Sequence, residues 1–212
     1  MDANDIEALF TRGDGSYLCA RWERPIVPIV FGVDERTLGV VKGACEAVVT
    51  LAGHKMAETD PELGANLMVF FFREWSELLE VPDLDGLFPN LSELVARLQE
   101  AGASQYRAFR FEKNGAIRAA FVFLCMESPL KDVPAEDLAL AEMAQVILLW
   151  SDSAFSTRSP LAVTPEGHTI LRPDISEVIS AAYDRVMPGA AEDPSHALRL
   201  FARIAASIGR QA

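Results

Sequence analysis

Leu67-Met68-Val69-Phe70-Phe71-Phe72 is the stretch on which the fold turns. The run is short for a helix and shows no polar alternation. It fits a strand buried on both faces, which places it centrally in a sheet. Upstream, Ser16 to Trp22 and Ile26 to Val33 are β-prone, joined by Glu23-Arg24-Pro25, where a proline suits a turn or the first residue of a strand. Between these strands and the central run, Leu38, Val41, Cys45, Val48, Val49 and Ala52 recur at helical spacing. They predict a crossing helix over 35–53, with Gly53 as its C-cap.

Downstream, Arg73 to Leu79 reads as a short helix and Val81 to Pro89 as a loop. Asn90 or Ser92 caps a helix to about Ala101, with Leu91, Leu94, Val95 and Leu98 on its apolar face. Gln105 to Glu112 and Ile117 to Leu124 read as strands joined at Lys113-Asn114-Gly115, a tight-turn signal. Pro134 to Trp150 predicts a strongly apolar, buried helix, 151–172 an irregular segment, and 174–186 a further helix. Asp193-Pro194 opens the last helix, with Ala197, Leu198, Phe201, Ile204, Ala205 and Ile208 as its apolar face. Strands dominate before Cys125 and helices after it. The expectation is therefore one α+β domain spanning 1–212: an N-terminal mixed sheet with a crossing helix, then a buried helix and a helical C-terminal part.

Composition narrows the function classes. Lys plus Arg number 19 against 31 Asp plus Glu, a net charge of −12 with no basic run, which argues against nucleic acid or anionic lipid as partner. No uninterrupted apolar stretch has the length of a membrane span. The start, Met1-Asp2-Ala3-Asn4-Asp5, lacks the basic and apolar regions of a secretory signal. Cys19, Cys45 and Cys125 are widely spaced in apolar surroundings and read as buried thiols, with one bridge left open if the protein is exported.

Familiar site motifs are broken or missing. Gly13-Asp14-Gly15 lacks the Gly-Lys-Ser/Thr of a phosphate cradle, and no G-x-G-x-x-G or G-x-S-x-G occurs. Arg12-Gly13-Asp14 matches a cell-adhesion tripeptide by letters alone. Asp83-Leu84-Asp85-Gly86 is a fragment of a calcium loop with its glycine too early. His54, His168 and His196 are too far apart for a helical zinc pair. Ser151, Ser153 and Ser156 have no identifiable His-Asp partner. Glu142 stands out as a carboxylate midway along the apolar Leu138 to Trp150 run, where burial demands a partner or a raised pKa. Gln145, three residues on, shares its face. Two interpretations remain open: a polar pocket built on a core helix, or the helix's single solvated or hydrogen-bonded stripe.

Several segments resemble an uncharacterised proteobacterial family, domain of unknown function 2927, many of whose members are described as lipoproteins. The resemblance is carried by Arg21-Trp22-Glu23-Arg24-Pro25-Ile26, by Gly53-His54 with Ala65-Asn66-Leu67-Met68-Val69-Phe70-Phe71, and by Ala141-Glu142-Met143-Ala144-Gln145 with Trp150-Ser151-Asp152-Ser153. Tyr183-Asp184-Arg185-Val186-Met187-Pro188-Gly189 completes it. The resemblance implies a degenerate zincin-like fold. Glu142 falls on a metalloprotease's general-base position, and Ala141 and Gln145 on its ligand positions. Ala cannot bind metal and Gln is a poor zinc ligand, so the resemblance implies the fold without metal or other cofactor. Ala141 replaces the family's first Glu, and Leu148-Leu149 stand near its Gly-Leu, both departures from its pattern.

The expected function is that of a non-catalytic binding or envelope-associated module. It would take an unknown protein or peptide ligand in the cleft beside the Pro134 to Trp150 helix. Glu142 is the candidate catalytic residue, and Gln145, Asp152 and Asn66 are the candidate binding residues. The alternative is a metal-independent hydrolase with Glu142 as general base. The acidic start points to the cytoplasm, the resemblance to the cell envelope.

Overall fold

Asp2 caps the first helix: its carboxylate accepts from the amides of Asn4 and Asp5, and Asp5 reaches back to accept from the Asp2 amide, opening α1 (Ala3–Ala8). The computed structural model describes residues 1–211. β1 (Cys19–Ala20) and β2 (Pro28–Phe31) follow, then α2 (Glu35–Leu51), whose N-terminus is capped by the Asp34 side chain on the Thr37 amide. Gly53, at φ +64°, closes α2: its N–H donates to the Thr50 carbonyl and that of His54 to Val49.

β3 (Leu67–Phe72) leads through a 3₁₀ turn at Trp75–Glu80 and the single turn α3 (Leu84–Leu87) to α4 (Leu91–Glu100). β4 (Gln105–Phe111) and β5 (Ile117–Cys125) form the expected hairpin, with Gly115 at φ +86° in the turn. Then come α5 (Ala135–Val146), the hairpin β6 (Leu161–Val163) and β7 (Thr169–Leu171), α6 (Pro173–Ala182), β8 (Ala190–Ala191) and α7 (Ser195–Gln211).

The main sheet runs β2-β3-β5-β4. β2, β3 and β5 are parallel, and β4 is antiparallel at one edge. The Leu67–Phe72 run is thus an interior strand, and β5 beside it is buried at all but one position. Alternate residues feed two cores. Leu67, Val69, Ala120 and Val122 pack with α2, α5 and α6; Phe70, Phe72, Phe121 and Phe123 pack with α4 and the Trp75–Glu80 turn. The fold is a mixed α+β arrangement, with helices on both faces of the sheet.

Three local expectations change. The apolar helix stops at Val146 rather than Trp150, because side chains from elsewhere take its terminal carbonyls. Trp22 Nε1 donates to Val146, Trp150 Nε1 to Ala144 and the Tyr183 hydroxyl to Ile147, at 2.8–2.9 Å. Leu148 and Leu149 then run extended beside Ala20 and Arg21. The segment 151–172 is not wholly irregular, and the C-terminal part not wholly helical: β6 and β7 pair around Gly167 at φ +85°. On α7 the buried stripe is His196, Ala197, Leu200 and Ile204, while Leu198, Phe201 and Ala205 face outward. The Ile208 side chain lies outside the described residues.

Candidate functional site

β4 is an edge strand, and its phase is set by one bond: the Cys125 N–H donates to the Ser104 carbonyl at 2.9 Å. In an antiparallel ladder the paired groups alternate. Tyr106, Ala108 and Arg110 therefore turn their backbone groups toward β5, and Gln105, Arg107 and Phe109 turn theirs to the open edge. Along that edge runs a cleft of about 570 Å³, lined by all of β4, by Gln145, and by Trp150, Asp152 and Phe155 opposite. A second cleft of about 640 Å³ adjoins it through Gln105, Gln145 and Phe155, and extends between α5 and the β6–β7 hairpin.

Glu142 lines the second cleft and is 2% exposed. Arg107 meets it in a two-point pair, Nε to Oε2 at 2.9 Å and Nη2 to Oε1 at 2.7 Å. Gln105, with its amide nitrogen turned toward Glu142, donates to Oε1 at 2.9 Å and accepts from Arg107 at 3.3 Å. The demand that a core carboxylate find a partner is met from the edge strand. The hydrogen-bonded interpretation of Glu142 therefore fits: both carboxylate oxygens are engaged by Arg107, and Oε1 by Gln105 as well.

The Gln145 amide donates to the Ala141 carbonyl at 3.2 Å. Its flank still lines both clefts. Asp152 is exposed and lines the edge cleft. Asn66 stands apart from both. Fully buried, it accepts from the Val27 amide at 2.8 Å and donates to the Pro25 carbonyl and to Asp60, so it ties the chain before β2 to the start of β3. Asp60 belongs to this tie. Burial alone would raise its pKa, but the amides of Glu62 and Leu63, Arg24 and Asn66 outweigh that and hold it at about 2.

The histidines are dispersed. His54 donates Nε2–H to the Arg24 carbonyl at 2.8 Å and His168 is exposed. His196 is buried against the Tyr17 hydroxyl at 2.8 Å, its pKa pushed down to about 4 by burial and by the charge of Arg199. Among the described residues no three His, Cys, Asp or Glu side chains gather as a metal site. The Asp83-to-Gly86 segment is the α3 turn, with Asp83 at φ +60° and Asp85 accepting from the Gly86 amide. Cys19, Cys45 and Cys125 are buried free thiols, and burial raises all three pKa values, that of Cys45 to about 12.

Sequence reasoning missed Arg107 and Gln105, although a signal existed. A lone Glu in an apolar helix needs a base, and the strand Gln105 to Glu112 offers Arg107 and Arg110. It also missed Arg12, which lines the edge cleft. No family model, curated protein or solved structure matches this chain.

Proposed function

We propose that this protein is a non-catalytic, zincin-like binding module that takes an extended protein segment as an added strand along β4. The carrying observation is the backbone of Gln105, Arg107 and Phe109 facing a cleft along the length of the strand, with only the Phe109 carbonyl taken, by the Arg110 side chain. An extended peptide satisfies such an edge by main-chain hydrogen bonds, and its alternate side chains fill the flanking cleft. Three of the four residues singled out from sequence, Glu142, Gln145 and Asp152, line this cleft or its neighbour. The zincin-like part of the reading rests on the family resemblance, in which Glu142 keeps the general-base position while Ala141 and Gln145 replace the ligands. Here Glu142 serves as the anchor of Arg107 and so fixes the edge strand. The hydrolase reading has less support, since it requires a Glu142 oxygen free to take a proton.

The test is selection of displayed random peptides on the immobilised protein, followed by hydrogen exchange with an enriched peptide bound. Protection gained at the amides of Gln105, Arg107 and Phe109 is the expected result. Enriched peptides that leave those amides exchanging freely would overturn the reading, as would stoichiometric zinc at Glu142 accompanied by peptidase activity.

A further inference from the structure

We infer that the segment docked along β4 carries an acidic side chain that pairs with Arg12, an inference that rests on the edge-docking reading above. Arg12 opens the turn Arg12-Gly13-Asp14-Gly15. Its N–H donates to the Ser16 carbonyl at 2.8 Å, and the Gly15 N–H donates to its carbonyl at 2.9 Å. Gly15, at φ +85°, supplies the left-handed step. The backbone is thereby fixed, and the half-buried side chain lies along the edge cleft with Trp150 and Asp152.

Among the described residues the Arg12 guanidinium makes no ion pair, and its Nε is buried without an acceptor. The other arginines of this cleft are occupied. Arg107 is held by Glu142. Arg110 donates to the carbonyls of Phe109 and Leu87 and lies over the rings of Phe88 and Phe121. Asp14, two residues on, spends its carboxylate on the amide and hydroxyl of Ser16. Asp152 lines the same cleft but forms no ion pair with Arg12.

The local charge differs from the global one. Arg107 and Glu142 cancel, leaving Arg12 and Arg110 against Asp152 in a chain of net charge −12. A half-buried guanidinium with no ion pair, an Nε without an acceptor and only the charge of exposed Asp14 nearby carries a desolvation cost that is incompletely offset. A carboxylate meets it with matched two-point geometry and removes that cost. A second copy of the chain is a poor occupant, because it brings its own Arg12 and Arg110 to this edge and repels through its net charge.

The experiment is parallel selection of displayed nonapeptides on the wild type and on Arg12→Met. Fluorescence anisotropy of one enriched peptide and its Glu-to-Gln or Asp-to-Asn counterpart follows. The wild type is expected to enrich Asp or Glu at one fixed position, and neutralising that residue should weaken binding about tenfold or more. Arg12→Met, and Arg12→Gln as a second variant, should bind the acidic and neutral peptides equally. Enrichment of edge-docked peptides without an acidic position, or an acid that matters equally in both variants, overturns this inference and leaves edge docking standing. Failure to enrich any peptide, or enrichment without protection of the β4 amides, overturns the edge-docking reading and this inference with it.

Discussion

Glu142 and Arg107 show how one buried pair joins the helical core to the edge strand. Removing one partner strands a charge: Arg107→Ala leaves a carboxylate that is 2% exposed with little to compensate it. Breaking such a pair costs about 3–5 kcal/mol, with the lower end expected here because Arg107 retains some contact with water. Urea denaturation should show this loss, and Arg107→Met with Glu142→Leu should recover most of it, since apolar replacement of both charges removes the desolvation cost as well. If the double variant is no better than the single, the pair is not coupled. Two other residues set a pH profile. His196 has its pKa lowered from 6.5 to about 4, so between those values the unfolded chain takes up a proton that the native state refuses. Stability is complete above pH 6.5 and falls as pH drops toward 4. Asp60, lowered from 3.8 to about 2, adds a separate loss as pH falls through that lower window. Urea midpoints measured from pH 7 downward should show the first limb, and His196→Gln combined with His54→Gln, the other imidazole whose pKa burial lowers, should flatten it. A slope that survives the substitutions assigns the limb to other groups.

At the scale of elements, β4 should show two populations of amides. Tyr106, Ala108 and Arg110 donate into the sheet, whereas Gln105, Arg107 and Phe109 face the open edge. Native-state hydrogen exchange should find the first set protected and the second fast, and uniform protection would mean that the edge is covered. The end of β2 makes a sterically stricter prediction. Gly32 sits at φ +79°, and a Cβ there would run into the Phe71 carbonyl oxygen of the neighbouring strand. Gly32→Ala therefore adds left-handed strain to a backbone clash, and should destabilise by at least about 2 kcal/mol in denaturant titrations. Helix ends divide by where their caps come from. Gly53 at the end of α2 was legible because its cap is local. The end of α5 was not, because Trp22, Trp150 and Tyr183 supply its donors from outside the helix.

For the whole molecule, two cores flank one sheet and hold the thiols out of reach: Cys19 and Cys45 in one core, Cys125 in the other. A thiol-disulfide exchange reagent at pH 8 should label the native protein slowly and all three cysteines at once in denaturant. Rapid labelling of any of them would show that its core opens. Among the described residues no helix is long and apolar enough to cross a membrane. Features that depend on neighbours along the chain were legible before any folding is considered. The doubly apolar run at Leu67 to Phe72 marked an interior strand, 3.6-residue spacing marked α2 and α4, the long apolar run marked α5, and Asn114-Gly115 marked the β4–β5 turn. The sequence also singled out Glu142, since a carboxylate in an apolar helix needs a partner wherever that partner comes from. Which groups meet is settled by packing between distant parts of the chain. Arg107 as the partner of Glu142, Asn66 as a tie rather than a cleft residue, and the outward face of α7 all follow from packing between elements. So does the cleft itself, which opens because β4 falls at the edge of the sheet, an order set by long-range strand pairing.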